Sequence, residues 1–178
     1  MRSVKWIVRL IALLVVASTV GLATLVLDTR SSLDKSQSAV ANEWTELRPD
    51  IVARYVVLAD ANNLLRDSGG PSRTIVSDID AALREWDALV EDESDLADQL
   101  HSANELEGLA RRLDKVVTAS PQTQTEQQLA ALVDFANLKV DASVINELIE
   151  KYQSDLDGSF AKLLAGSLGF EELPALVS

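Results

Sequence analysis

Two groups of polar residues in this sequence are of the types that bind metals or transfer protons. Asp98 and His101 stand three positions apart, which places them on adjoining faces of a helix. The run from Glu91 to Asp98 holds five acidic residues. Di-iron bundles need Glu-x-x-His from two helices, and calcium loops need a glycine for their bend. Because the chain has one histidine and the acidic run has no glycine, we interpret His101 as a solvated surface residue and the run as an exposed turn.

No residue pattern in the chain points to catalysis. Cysteine is absent, which excludes thiol chemistry, disulfides and cysteine metal sites. The serines lie in no nucleophile elbow or glycine-rich loop. We therefore expect a protein that is not an enzyme, with no catalytic residue, metal or cofactor.

The charge of the chain excludes another class of function. Arg2, Lys5 and Arg9 account for three of the 16 basic residues, so 13 basic and 28 acidic side chains remain in the rest, a net charge of −15. Such a domain repels phosphate backbones and anionic lipid surfaces. The sequence predicts no nucleic-acid partner.

The longest apolar stretch is residues 10–27, LIALLVVASTVGLATLVL, which contains no charge. About 18 such residues can cross most of a bilayer as a helix. The basic residues before it predict a cytoplasmic N-terminus and an extracytoplasmic C-terminal domain in the cell membrane. A cleaved signal peptide ending near Gly21-Leu22-Ala23 is the alternative, but the apolar run continues through Leu27, which favours an uncleaved single-pass anchor in contact with membrane lipid.

The remainder of the chain has the composition and periodicity of long helices, and the whole chain has only seven glycines and four prolines. A first helix is expected from Asp28 to Asp67, with a kink or a restart at Pro49 and an end at residues 68–71. Its apolar stripe is Leu33, Val40, Trp44, Leu47, Ile51, Tyr55, Leu58 and Leu65.

Three further helices follow in the predicted fold. The second begins at Pro71 and ends at a tight turn at 91–95, or else continues through it as one long helix. The third runs to Ala119, and the fourth runs from Thr125 to Asp157. The stripe predicted for the fourth helix is Leu129, Val133, Ala136, Val140, Val144, Leu148, Tyr152 and Leu156.

These elements predict an all-α fold: a transmembrane helix followed by an antiparallel up-down four-helix bundle with long first and last helices. The expected segments are a cytoplasmic N-terminus (1–9), the anchor (10–27), the bundle (28–157) and an apolar tail (158–178). Up-down threading returns this tail towards the membrane, where it caps the bundle, touches the outer leaflet or docks a partner.

Two blocks of the sequence resemble motifs of the LemA proteins, small bacterial membrane proteins. The first block comprises Trp44, Thr45, Leu47, Ile51, Arg54, Tyr55 and Leu58, and the second comprises Tyr152, Gln153, Leu156, Leu163, Leu164, Ala165, Leu168, Gly169 and Phe170. Arg48 and Val56 stand where the family has aspartates, and Ser159-Phe160 replaces a Phe-Pro pair. The resemblance implies a single-pass anchor and a helical bundle, in a family whose molecular function is not established.

The matching residues are the candidate functional positions. We expect Trp44 in the core, Tyr55 packed with its hydroxyl bonded, and Arg54 either paired with an acid on a neighbouring helix or exposed to a partner. Tyr152, Leu163, Leu164, Gly169 and Phe170 are the other possible partner contacts. The leading hypothesis is a non-enzymatic scaffold or adaptor for envelope proteins, and the alternative is a sensory or ligand-binding ectodomain that signals through a partner. A pocket lined by arginines would favour the ligand hypothesis, and an uninterrupted apolar core would favour the scaffold.

Overall fold

The described part of the protein is all-α. The computed structural model describes residues 2–66, 72–119 and 125–177, without the side chains of residues 2–20, 22, 72 and 159. Within these ranges there are six helices and no strand. The helices are α1 (Arg2–Leu65), α2 (Ser72–Glu91), α3 (Leu96–Ala119), α4 (Glu126–Asn137), α5 (Ser143–Leu156) and α6 (Ser159–Leu168).

The long helix α1 organises the fold. It has 64 residues, which corresponds to about 96 Å at 1.5 Å per residue. Its predicted apolar stripe is confirmed, with seven of the eight residues buried and Leu47 half-buried. Because the stripe faces the other helices, α1 contacts α2, α4, α5 and α6.

Pro49 lies inside α1 and does not end it, so the predicted restart there is wrong. A proline within a helix costs about 3 kcal/mol. Trp44 and Ile51, on either side of it, are 4% and 2% exposed, and burial of side chains of this size contributes roughly 1.5–3 kcal/mol each. Packing on both sides therefore outweighs the lost hydrogen bond.

Residues 10–20 and Leu22 of the predicted anchor lie outside the side chains that the structure describes, and the anchor stays a prediction. Within the described part, no helix combines the length and the apolar character needed to cross a membrane. The predicted helix breaker at 68–71 and residues 120–121 after the third helix lie outside the described residues, whereas α3 ends at Ala119 as predicted.

The predicted turn at 91–95 is confirmed, since α2 ends at Glu91 and α3 begins at Leu96. Glu93 adopts a φ of 48°, the left-handed conformation that reverses the chain. The Asp95 carboxylate then accepts a hydrogen bond from the Leu96 N–H at 2.8 Å, which satisfies one free donor at the start of α3.

The predicted fourth helix is wrong as a single element, because it is broken at residues 138–142 into α4 and α5. The break also changes which residues face the core. Val133 and Val144 of the predicted stripe are 58% and 49% exposed, while Phe135 and Ile145 are 7% and 1% exposed. A long last helix is therefore absent from the described fold.

The tail packs against the domain. Helix α6 contacts α1 and α5, and residues 170–177 after it form no helix or strand. Phe170, Leu173 and Leu176 are buried at 6%, 3% and 5% exposure. Of the three placements predicted for the tail, the structure thus shows residues 170–177 covering the domain itself.

Candidate functional site

Arg54 and Glu107 form the most buried ion pair in the described part of the chain. Arg54 Nε donates to Glu107 Oε1 at 2.7 Å, and Arg54 Nη2 donates to Oε2 at 2.9 Å. Their side chains are 12% and 8% exposed. This two-bonded geometry uses the planar guanidinium fully, which a lysine could not reproduce. The pair joins the C-terminal part of α1 to the middle of α3.

The third guanidinium nitrogen of Arg54, Nη1, caps the C-terminal end of α4. Arg54 Nη1 donates to the backbone carbonyl of Phe135 at 2.9 Å and also to that of Leu138. In a continuous helix those carbonyls would accept from residues 139 and 142. The guanidinium carbon also lies 3.9 Å from the centre of the Phe135 ring, a cation–π contact. One side chain therefore joins α1, α3 and α4.

Tyr55, the next residue on α1, is bonded as the sequence predicted. Its hydroxyl donates to the Ala103 carbonyl of α3 at 2.9 Å. Its ring meets the Trp86 ring edge-on at 5.1 Å, and Trp86 meets Trp44 in the same way at 6.2 Å. Burial, and next to it the Glu107 carboxylate, raise the pKa of Tyr55 above its ordinary value, while Arg54 opposes them. Tyr55 stays protonated at neutral pH and serves as a donor.

A cavity of about 460 Å³ lies beside this pair. Apolar residues of α1 and α4 form its walls, including Ile51, Leu58 and Leu132, and Leu176 and Val177 of the tail close one side. Arg111 and Lys139 are exposed cations on the same cavity, and Asp114 is an exposed acid on it. Its volume is within the range of small-molecule sites.

The tail is held by hydrogen bonds to its backbone. Asn146 of α5 donates to the Leu176 carbonyl at 2.8 Å and accepts from the Leu176 N–H at 2.7 Å. Asn104 of α3 donates to the Ala175 carbonyl at 2.8 Å and accepts from the Val177 N–H at 2.7 Å. Two asparagine amides therefore each form a pair of bonds to this one extended segment.

Two further side chains of α5 hold the start of the tail. Tyr152 donates to the Glu171 carbonyl at 2.8 Å, and Gln153 donates to the Leu173 carbonyl at 2.6 Å. Burial raises the pKa of Tyr152, so this hydroxyl keeps its proton. Gly169, with a φ of 78°, ends α6 and directs the chain towards Asn104 of α3 and Asn146 of α5.

The structure separates the predicted site residues into two groups. Arg54 and Tyr55 lie together at the cavity, whereas Tyr152, Gly169 and Phe170 lie along the tail. The other three predicted residues lie elsewhere. The Trp44 indole N–H donates to Gln99 at 2.8 Å. On α6, Leu164 is half-buried and Leu163 is 81% exposed.

Sequence reasoning missed the partners of these residues. Glu107 lies on the apolar stripe of α3 and is 6% exposed. An acid within an apolar stripe was the available signal, because a buried carboxylate requires a partner. Asn104 and Asn146 gave no such signal, since asparagine is common on helix surfaces.

His101 is exposed, as predicted. No group of three or more His, Cys, Asp or Glu side chains that could hold a metal ion occurs among the residues described. The chain matches no family model, no curated protein and no solved structure.

Proposed function

We propose that the chain is a membrane-anchored, LemA-like helical protein that acts without catalysis, as a scaffold or adaptor for envelope proteins. The observation that supports the proposal is the continuity of α1 from Arg2 to Leu65. Residues 10–27, the proposed anchor, and the buried stripe of the domain belong to one helix. A helix without an interruption holds the domain at a fixed distance from the membrane, which suits a protein that positions others.

The proposed domain is an up-down bundle around α1. Trp44 and Tyr55 bond Gln99 and Ala103 in the same order along the chain, so α3 runs parallel to α1. Gln128, at the start of α4, donates to the Leu64 carbonyl at 2.7 Å, while the end of α4 is bonded by Arg54. Helix α4 therefore runs antiparallel to α1, as an up-down arrangement requires.

The bonding of Arg54 also supports a structural use of the family-like residues. All three guanidinium nitrogens donate to groups of the domain itself. Both carboxylate oxygens of Glu107 accept from Arg54. Polar groups that are engaged in this way join helices, and they leave the exposed surface to carry the interactions.

The proposed location is tested by fractionation and protease access with tagged full-length protein in its host. We expect the full-length chain in the membrane fraction, and digestion of the domain from outside intact protoplasts. A charged residue at the centre of a membrane helix costs about 2.5–3.5 kcal/mol. Val16→Arg should thus reduce membrane association, and Val16→Leu is the matched control. A soluble, shortened chain, or a domain protected until lysis, would contradict the proposed location.

The adaptor role is tested by photo-crosslinking in cells from position 163, because Leu163 is the most exposed large apolar residue described. We expect discrete protein adducts that include envelope proteins. The buried position 106 is the control, since Leu106 is 0% exposed and should give no intermolecular adduct. Absence of protein adducts from exposed positions would reject the adaptor role.

A ligand-binding ectodomain is the second candidate, favoured by the cavity. Apolar walls with Arg111 and Lys139 suit a ligand with an apolar body and an anionic end. Decanoate is a suitable probe, and it should raise the unfolding temperature of the full chain if the cavity binds ligands of this class. Arg111→Ala should reduce that rise, and Arg112→Ala is the control because Arg112 is exposed and does not line the cavity.

A further inference from the structure

Residues 170–177 are bound in a groove between α3 and α5 as an extended peptide would be. The side-chain amides of Asn104 and Asn146 bond three consecutive residues of the tail, 175–177, through backbone groups alone. Backbone N–H and C=O groups are the same in every residue except proline, which lacks the N–H. This part of the recognition therefore accepts other extended segments, provided that their side chains fit.

The side chains of the tail define what fits. Its buried residues, Phe170, Leu173 and Leu176, stand three positions apart. In a β-strand every second residue faces the same side, whereas a polyproline II helix has three residues per turn. The spacing, together with Pro174 next to Leu173, matches the second geometry. The groove therefore selects an extended segment with an apolar residue at every third position and an aromatic residue first.

We propose that this groove is a binding surface for an extended segment of a partner protein with that apolar spacing, and that residues 170–177 are its resident occupant. The inference rests on the proposed adaptor function and names its partner class. A partner segment would replace the tail on Asn104 and Asn146.

The tail is attached in a way that permits the exchange. It leaves α6 at Gly169, whose φ of 78° marks a sharp change of chain direction. An added Cβ at Gly169 would meet no atom within 4 Å, so the hinge lies in open space. Leu176 and Val177 also line the cavity beside Arg54. Release of the tail therefore opens that cavity. Binding of a partner in the groove is in this way coupled to binding of a ligand in the cavity.

A partner protein suits the groove better than a second copy of this chain. The tail of a second copy is held in its own groove, so exchange between copies requires two releases, whereas a free partner segment requires one. The net charge of −15 on residues 10–178 also opposes close approach of two copies.

The test uses a fluorescent peptide with the sequence of residues 169–177, and full-length chain in mild detergent. The resident tail competes at a high effective concentration, so wild-type chain should bind the peptide weakly. Leu173→Asp places a charge at a position that is 3% exposed, so it should release the tail while every residue of the groove stays unchanged, and it should strengthen peptide binding at least tenfold. Glu172→Ala is the matched control, because Glu172 is an exposed tail residue, and it should leave peptide binding at the wild-type level.

The asparagines locate the binding. In the Leu173→Asp background, Asn146→Ala and Asn104→Ala each remove two hydrogen bonds to the peptide, and each should weaken binding about tenfold or more. A peptide with aspartate in place of its residues 173 and 176 should not bind. Helical circular dichroism equal to that of the wild-type chain establishes that each variant is folded.

A second measurement leaves the buried tail residues unchanged. The chain has no cysteine, so a fluorophore on the exposed position of Ala175→Cys reports on the tail alone. Excess unlabelled peptide should lower the anisotropy of this label as the tail is released.

Three results would overturn the proposal. The first is that the folded Leu173→Asp chain does not bind the peptide. The second is that peptide binding is unchanged in both asparagine variants. The third is that the chain with the released tail associates with itself and does not bind the peptide. The localisation and crosslinking tests use other readouts. An adaptor that uses another surface would still give adducts from position 163, so failure of the groove is distinguishable from failure of the proposed function.

Discussion

Arg54 of α1 reaches Glu107 of α3 across two hydrogen bonds, and the same guanidinium reaches two backbone carbonyls at the end of α4. The two residues are 53 positions apart in the chain. Their pairing therefore depends on α2 and α3 folding back along α1. Taking two charges out of water is costly, and the cost is offset only when the geometry and the remaining hydrogen bonds are good.

Removing one member of this pair should destabilise the fold strongly. Arg54→Met leaves the Glu107 carboxylate buried without its partner and frees the carbonyls of α4, and we expect a loss of about 3–5 kcal/mol in the free energy of unfolding. Arg54→Lys should recover only part of this, since an ammonium group cannot make the forked contact. Denaturant unfolding followed by tryptophan fluorescence gives the values.

The double variant separates charge from packing. Arg54→Met with Glu107→Leu removes both charges, so it should be more stable than Arg54→Met alone. Equal stability of these two variants would show that the ion pair is not the source of the loss.

The hydrogen bond between the Trp44 indole and Gln99 should matter more than its single bond suggests. Gln99 is 4% exposed, so Trp44→Phe leaves a buried amide oxygen without its donor and should cost roughly 1–3 kcal/mol. Adding Gln99→Leu removes the unsatisfied amide and should restore part of the loss. An additive double variant in the same unfolding assay would argue against this account.

Stability should fall at high pH because of Tyr55. Burial raises its pKa in the folded state, so above about pH 10 the unfolded chain releases a proton that the folded chain retains. The contribution of Tyr55 is complete below that pH and declines above it by up to about 1.4 kcal/mol per pH unit. Between pH 9 and 11, the free energy of unfolding should decline more steeply for wild-type chain than for Tyr55→Phe. Parallel profiles would place the titration on other groups.

Substitution by alanine should change the stability of the C-terminal segment in opposite directions at Gly166 and at Gly169. Gly169 has a φ of 78° and nothing within 4 Å of an added Cβ, so Gly169→Ala should cost about 1–2 kcal/mol through the backbone alone. Gly166 lies inside α6, also with open space around it, and Gly166→Ala should stabilise α6 by about 1 kcal/mol. Amide hydrogen exchange in residues 160–177 measures both. A loss of protection in both variants would indicate crowding in place of conformational strain.

The sequence predicted those parts of the fold that depend on local periodicity. The stripe of α1 and the turn between α2 and α3 follow from residues near one another in the chain. The break between α4 and α5 does not, because residues 138–142 contain no glycine or proline. The guanidinium that ends α4 comes from Arg54, 84 positions before Leu138. A distant side chain therefore contributes to that boundary, and the local signal is Asp141, whose carboxylate accepts from the Ser143 N–H at 3.0 Å where α5 begins.

The same reason explains what was found and missed at the site. Arg54 and Tyr55 were identified from the motif, and pairing with an acid was one of the two alternatives expected for Arg54. The identity of Glu107 required the register of α3 against α1. Asn104 and Asn146 became functional candidates only when the tail was seen to lie between them.

The uninterrupted α1 also links the number of its residues to the direction in which the domain faces. Each residue turns an α-helix by about 100° and lengthens it by about 1.5 Å. One residue inserted between 28 and 32 would therefore rotate the domain about the axis of α1 by roughly a quarter of a turn relative to the part of α1 before the insertion. The exposed Leu163 side chain would then face a different direction. Seven residues would lift it by about 10 Å and return it almost to its first bearing. The number of residues in this segment thus determines both the direction in which the domain faces and its distance from the start of α1.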